Sequence, residues 1–144
     1  MIIASLVIGL GALIYAIYLT RWVLSRNPGT EDMRRISEYI AEGAKAYLNR
    51  QFKTLLPVLI ILSILVGVFI GVFAALSFIA GALGSMLAGY LGMYVTTRSA
   101  SRTAEAARKS LDEALKISWR AGAVMGLSLT GVAILIISIL YIVY

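Results

Sequence analysis

The chain has 144 residues, of which 60% are hydrophobic and 14% are charged, and its mean hydropathy is +0.91. A soluble domain of this length could not bury so much apolar surface, so the composition indicates an integral membrane protein. The sequence contains neither Cys nor His, which excludes disulfides and thiolate chemistry and argues strongly against a zinc site.

The charged residues fall in two segments, and their positions are more informative than the formal net charge of +6. Residues 20–53 hold seven of the 13 Lys and Arg residues, and residues 98–120 hold the other six. Because basic residues in short loops mark the cytoplasmic side of a membrane, we expect both segments in the cytoplasm and both chain ends outside. Basic interfaces beside anionic lipid account for the positive charge without a nucleic-acid partner.

The first predicted span covers about residues 2–24. Residues 1–20 carry no charge, and at about 1.5 Å per residue this run is long enough to cross one bilayer core. A cleaved secretory signal is the alternative interpretation. It is disfavoured because no basic residue precedes the apolar run, the run is long, and no small-residue cleavage site follows it. Tyr15, Tyr18 and Trp22 are placed as an interfacial aromatic belt would be.

A polar segment follows, which predicts an amphipathic cytoplasmic helix over residues 30–53. Pro28 and Gly29 end the first helix, and Thr30 can act as the N-cap of the next one. Apolar residues recur at spacings of three and four to make one stripe: Met33, Ile36, Ile40, Ala44 and Tyr47. This juxtamembrane helix is predicted to lie against the membrane rather than to cross it.

Residues 54–97 contain no charge, and as a single helix they would be about twice as long as a bilayer core requires. They therefore predict a hairpin of two spans, about residues 54–75 and 78–97. We place the turn near Ala74 to Ser77, with Ser77 capping the third span. Because no Gly or Pro occurs from Met93 to Ala121, the third helix is expected to continue out of the membrane to about residue 109, with Arg98, Arg102, Glu105 and Lys109 along one side.

The third span carries two rows of small residues, which are the predicted helix-packing residues. The first row repeats every four positions and the second lies beside it: Ala80, Gly84, Ala88 and Gly92, then Gly81, Ser85 and Gly89. Small residues at this spacing let two helix backbones approach closely in lipid. The partner helix could lie within this chain or outside it.

The last predicted span covers about residues 120–143. Ser110 to Glu113 form a capping-box pattern that starts a helix at Ser110, and Trp119 and Tyr141 mark the two ends of the span. The predicted fold is therefore an all-α integral membrane domain over residues 1–144, with four transmembrane helices and both termini outside. The cytoplasmic segments would be about residues 25–53 and 98–119.

The residues themselves indicate no catalysis. There is no phosphate loop, no paired carboxylate within a span and no serine beside a plausible base, so we assign no catalytic, cofactor-binding or metal residue. A stand-alone four-span scaffold or assembly protein is one interpretation. A small multidrug-type transporter is disfavoured because no span contains an ionisable acidic residue of the kind that marks an ion pathway.

The whole sequence resembles the N-terminal part of the membrane-bound inorganic pyrophosphatases, the pyrophosphate-energised proton or sodium pumps. Gly29-Thr30-Glu31 and three longer stretches carry the resemblance: IAEGAKAYLNRQFKT (40–54), GYLGMYVTTRSASRTAEAAR (89–108) and ALKISWRAGAVMGLS (114–128). AYLNRQ is the most specific of these, and with the spans between them the stretches cover nearly all of the chain.

The resemblance implies a sixteen-span homodimeric pump in a prokaryotic plasma membrane. Such a pump would hydrolyse magnesium pyrophosphate on the cytoplasmic side and move protons or sodium outward. It also implies that this chain is a fragment that supplies the first four spans, with the lipid bilayer and the remaining helices of the pump as its partners. The family's aspartate-rich substrate motifs belong to later helices and do not occur here, so we carry over no catalytic residue.

Overall fold

A computed structural model describes residues 2–144, which form four long helices. They are α1 (Ile2–Leu24), α2 (Glu31–Phe69), α3 (Val72–Ala107) and α4 (Leu111–Val143). Each is long and apolar enough to cross a membrane. The predicted all-helical fold with four candidate spans is therefore confirmed.

The order of the helices in space differs from their order along the chain. α4 packs against both α1 and α3, and α3 also packs against α2, so that the helices follow one another as α2, α3, α4 and α1. α1 touches α3 only slightly. No residue in the most apolar stretch of α2 is buried, so this helix is the least covered of the four.

α2 starts where the sequence predicts but does not stop at the predicted boundary. The Thr30 hydroxyl accepts a hydrogen bond from the backbone N–H of Met33 at 3.4 Å, which confirms the N-cap. The helix then runs without interruption for 39 residues, through Pro57, so residues 31–53 are not a separate helix. The residues between Gly43 and Pro57 favour helix, and membrane helices tolerate an internal proline, so nothing in the sequence ends the helix at residue 53.

The face of α2 that packs against α3 is also rotated from the predicted stripe. Met33 and Ala44 are half-buried as expected, but Ile36, Ile40 and Tyr47 are exposed. The centre of the contact is instead Ser37, which is buried and whose hydroxyl donates to the backbone oxygen of Thr97 on α3 at 3.1 Å. A periodicity search that counts only apolar side chains misses such a polar contact.

The turn between the second and third spans lies at Ile70 and Gly71, so the predicted turn near Ala74 to Ser77 is wrong. Gly71 has φ +133° and ψ 161°, a conformation that is essentially restricted to glycine. Ser77 lies inside α3 and donates to the carbonyl of Phe73 at 2.9 Å instead of capping the helix. The backbone requirement at Gly71 thus determines the turn, rather than a polar cap.

The turn between α3 and α4 lies close to the predicted position. α3 ends at Ala107, and Ser110 is the extended residue before α4. The predicted helix start is therefore correct, but the Ser110 side chain makes no capping hydrogen bond, so the capping-box mechanism is wrong. Asp112 and Glu113 still occupy the first turn, where the helix dipole favours negative charge.

α4 is the central helix, and its buried residues form a regular seam. As far as Gly131 they recur at alternating spacings of three and four, and Ser138 follows seven residues later, which is the pattern of left-handed helix packing. The members of this seam are Ala114, Ile117, Ala121, Val124, Ser128, Gly131 and Ser138. Because α3 and α1 both pack against α4, the seam and its flanks supply most of the contacts between helices.

The first small-residue row of α3 packs against α4. Gly84, Ala88 and Gly92 are buried and Ala80 is half-buried. A Cβ placed on Gly84 would lie 2.5 Å from the Ile136 side chain. The absence of a side chain is therefore what allows α4 to approach.

The second row does not take part in this contact. A Cβ on Gly81 or on Gly89 would meet nothing within 4 Å, and Ser85 is exposed. Within the described residues no helix packs against this row, because α4 lies on the other flank of α3, and the prediction that the row packs stays a prediction for a partner outside this chain.

A close contact between α1 and α4 went unpredicted. A Cβ on Gly9 would lie 3.2 Å from the backbone oxygen of Gly131, and one on Gly131 would lie 3.1 Å from that of Gly9. The two glycines therefore face each other where the helices cross. Gly11 is also in α1, and Gly122 and Gly126 are also in α4, but neither Gly9 nor Gly131 has another glycine four residues away. Neither therefore belongs to a glycine row that sequence inspection would detect.

We expect Gly84→Leu to destabilise the bundle while Gly81→Leu leaves it nearly unchanged. The leucine at residue 84 would overlap Ile136 and Val132, and forcing extra atoms into a packed interface typically costs about 1–3 kcal/mol. The same leucine at residue 81 enters open space. Thermal unfolding in detergent, followed by circular dichroism, measures both variants.

The two substitutions are the same and lie three residues apart on the same helix, so helix propensity and hydrophobicity are matched. Equal unfolding temperatures for the two would contradict the assignment of the first row to the α3–α4 contact. Leu83→Ala, at an exposed residue, is a second reference and should also have a small effect.

Candidate functional site

All charged side chains lie at one end of the bundle, which we call the polar end. It contains the C-terminal ends of α1 and α3 and the N-terminal ends of α2 and α4. The opposite end is closed by neutral groups. There the Tyr144 hydroxyl donates to the backbone oxygen of Phe73 at 3.0 Å, and the Ser138 hydroxyl donates to Ser5 at 3.1 Å. Charge chemistry in this chain is therefore confined to the polar end.

Arg102 links α3 to the end of α1. Its guanidinium donates to the backbone oxygen of Leu24 through Nε at 3.3 Å and Nη2 at 3.0 Å, and to that of Arg98 through Nη1 at 2.6 Å. Leu24 is the last residue of α1, whose carbonyl has no partner within the helix and carries partial negative charge. Arg102 therefore supplies a C-terminal cap from another helix.

The surroundings of Arg102 reduce its basicity but do not discharge it. Partial burial lowers the pKa of Arg102 from its ordinary value, and the positive charges of Arg98 and Arg34 lower it further. Arginine nevertheless remains protonated in proteins. Of the charged residues predicted along one side of α3, Arg102 turns its guanidinium inward to α1.

Glu105 is the most covered of the ion-paired carboxylates, with only 15% of its side chain exposed. The loop between α1 and α2 passes over it at Gly29, where φ is +85°. A Cβ on Gly29 would lie 3.2 Å from the Glu105 side chain and 2.6 Å from Met33. Glycine is therefore needed at this residue both for its backbone conformation and for the close approach.

Trp22 is contacted by two arginines from different parts of the chain. The guanidinium carbon of Arg120, on α4, lies 3.8 Å from the centroid of the Trp22 ring, and that of Arg26, in the loop after α1, lies 3.9 Å from it. Cation–π attraction to tryptophan stabilises such contacts. The indole therefore holds two positive charges close together at the junction of α1 and α4.

A groove of about 650 Å³ runs beside this junction, between α1 and α4. Its walls include aromatic and aliphatic residues and, towards the polar end, Lys116 and Arg120. The lining residues are Tyr15, Leu19, Leu115, Lys116, Trp119, Arg120 and Ala123. The groove thus joins an apolar stretch to a cationic end.

A second groove, of about 360 Å³, lies between α2 and α3 and has mixed charge. Glu38, Glu42, Lys45 and Arg98 contribute side chains to it, and the Arg98 guanidinium lies 3.8 Å from the ring centroid of Tyr94. Acidic and basic groups share this groove, so it has no strong preference for an anion or a cation.

The carboxylates have ordinary structural roles where the structure shows their partners. Asp32 pairs with Arg35 at 3.2 Å, Glu105 pairs with Arg108 at 3.4 Å, and Asp112 accepts a hydrogen bond from Lys116. Each pair joins neighbours on one helix. Among residues 2–144, no group of three carboxylates is arranged to hold a metal ion.

Sequence inspection located the charged segments but not the contacts within them. The sequence predicts Arg102 only on a charged side of the third helix, Trp22 only in an aromatic belt, and Arg120 only within the second charged segment. Their partners come from sequence-distant elements, 78 residues apart for Arg102 and Leu24, and a single sequence carries no sign of such pairing.

Comparison of the amino-acid sequence with known proteins identifies its family. The model of the inorganic H+ pyrophosphatase family matches residues 10–144. The K(+)-insensitive pyrophosphate-energized proton pump of Pyrobaculum aerophilum is 55% identical to the chain, over 97% of the chain and 20% of that protein. The protein of the same name from Methanosarcina mazei is 40% identical, over 94% of the chain and 21% of its own length.

A related protein with a different ion in its name matches too. The K(+)-stimulated pyrophosphate-energized sodium pump of Thermotoga maritima is 38% identical, over 85% of the chain and 17% of that protein. The chain thus spans about a fifth of the length of these relatives. Since the family model covers most of its residues, the chain belongs to the inorganic H+ pyrophosphatase family.

Proposed function

We propose that this chain is the N-terminal four-helix part of a pyrophosphate-energised ion pump, and that its role there is structural. Its family membership, and the pumps named among its relatives, support the first half of the proposal. The pump would hydrolyse magnesium pyrophosphate, move protons or sodium outward and work as a homodimer. In this view the bilayer and the remaining helices of the pump are the partners of the chain.

The arrangement of the carboxylates is the observation that carries the structural half of the proposal. Glu31 and Asp32 occupy the first turn of α2, and Asp112 and Glu113 that of α4, where acidic residues stabilise a helix N-terminus. Glu105 supports the loop at Gly29. Pyrophosphate hydrolysis with magnesium instead needs several carboxylates that converge on the metal ions.

The first test is the activity of the chain alone. We expect the purified chain, in detergent or in liposomes, to release no phosphate from magnesium pyrophosphate above the blank. The Pyrobaculum aerophilum relative, purified in the same way, is the reference, and colorimetric phosphate release is the measurement.

Turnover by the chain alone would not by itself identify the residues responsible. The seven acids are therefore changed one at a time to the matching amide, for example Glu105→Gln. Robust turnover that one such change abolishes would refute the structural role, because the catalytic groups would then lie within this chain.

The second test concerns sidedness. We propose that the polar end is cytoplasmic, on the basis of the positive charge in both of its segments. The chain has no native cysteine, so single cysteines can be introduced cleanly. Ile70→Cys, exposed at the turn between α2 and α3, should react with a membrane-impermeant maleimide in intact cells.

Asn27→Cys, in the exposed loop between α1 and α2, is the matched variant for the other side. It should react only after the cells are permeabilised. The reverse pattern, with Asn27→Cys labelled in intact cells and Ile70→Cys protected, would overturn the proposed orientation.

A further inference from the structure

We propose that the groove between α1 and α4 is a binding site for one anionic phospholipid. Arg26 and Arg120 would hold the phosphate of the headgroup at the Trp22 ring, and an acyl chain would lie along the groove beside Tyr15 and Trp119. The proposal concerns residues of this chain alone and does not depend on the pump activity.

The headgroup end of the site is defined by two cations on one ring. Since the guanidinium carbons of Arg26 and Arg120 each lie within 3.9 Å of the Trp22 centroid, they are within twice that distance of each other. Among the described residues, neither makes an ion pair with a carboxylate. Two like charges at this separation repel each other, and a phosphate at the edge of the Trp22 ring, near both guanidinium groups, would offset that repulsion.

Lys116 and Arg21 are two further basic residues near the groove. Lys116 is already paired with Asp112 on its own helix, and this pair therefore adds little net charge. Arg21, in the last turn of α1, adds a further positive charge to this end of the helix. Basic sites of this kind between membrane helices bind anionic lipid headgroups.

The wall of the groove favours a lipid over free phosphate. From the arginines towards the uncharged part of the bundle it is lined by Leu19, Ala123 and Tyr15, and Trp119 beside it is 76% exposed. Tryptophan and tyrosine favour the membrane interface, where one end of the ring meets water and the other meets acyl chains. A free inorganic anion would use the arginines but leave this apolar surface uncovered.

The mixed-charge groove between α2 and α3 is the natural comparison. Glu38 and Glu42 lie beside Lys45 and Arg98 there, so an anion would meet repulsion as well as attraction. The charge of the α1–α4 groove, in contrast, is one-sided, and this is the reason for choosing it as the lipid site.

Both tryptophans of the chain, Trp22 and Trp119, belong to the proposed site, which gives a direct optical test. Lipids with brominated acyl chains quench tryptophan fluorescence on contact. The purified chain in mild detergent is titrated with brominated phosphatidylglycerol, which is anionic, and separately with brominated phosphatidylcholine, which is zwitterionic. We expect half-maximal quenching by the anionic lipid at a concentration on the order of tenfold lower.

Three variants identify the residues responsible. In R26Q/R120Q the two lipids should quench at similar concentrations. The control R50Q/K53Q removes the same charge from α2, which packs against neither α1 nor α4, and should keep the full preference. R26K/R120K keeps the charge but loses the planar guanidinium and should keep only part of the preference. Far-UV circular dichroism checks that each variant is folded.

The wild-type titration alone can overturn the proposal, through equal quenching by the two lipids. A preference that survives in R26Q/R120Q, or that is lost equally in R50Q/K53Q, would also overturn it. Sodium phosphate and sodium pyrophosphate, added first without lipid and then during the lipid titrations, test whether the site binds a free phosphate anion instead of a lipid headgroup. Sodium chloride at the same ionic strength is the control for each anion. If phosphate or pyrophosphate shifts the tryptophan emission and abolishes the lipid preference where sodium chloride does not, the site binds free anions and not a lipid.

Discussion

The close contact of α4 with two neighbours is the constraint on which the rest of the structure depends. Lipid is as apolar as leucine, so helices in a membrane gain little from burying apolar side chains against each other, and tight packing has to hold them together. Gly84 and Gly92 bring α3 close to α4, and Gly9 and Gly131 do the same for α1. The buried seam of α4 takes part in both the α3–α4 contact and the α1–α4 contact.

The polar end is held by a different kind of interaction. Its contacts are directional and connect the ends of helices: Arg102 to the last carbonyl of α1, Ser37 to the backbone of Thr97, and Arg120 to Trp22. Such contacts add little to stability where they are exposed to water, but they set the relative positions of helix ends. Packing thus fixes the spans, and hydrogen bonds and cation–π contacts fix the segments that extend beyond them.

The sequence alone was sufficient to predict four candidate spans, because long uncharged runs are unambiguous. It also predicted the helix start at Thr30 and the first small-residue row, both of which follow local rules. The turn was misplaced because Gly71 was one glycine among 13, and its special backbone conformation is a property of the fold. The partners of Arg102, Trp22 and Gly131 lie far away along the chain, and periodicity within one helix cannot find them.

The spatial order α2, α3, α4, α1 has a consequence for how the chain is made. During synthesis α1 emerges before the other three helices, yet the helix it packs against is the fourth of them. At roughly 5–20 residues per second, α1 would remain without its partner for several seconds. In that interval its glycine-containing face is open to lipid and to the insertion machinery, while α2 and α3 can already pair as a hairpin. Packing of these four helices therefore requires α4 to enter beside two helices that are already in the membrane, and α1 is the one of the four most exposed to wrong pairing along the way.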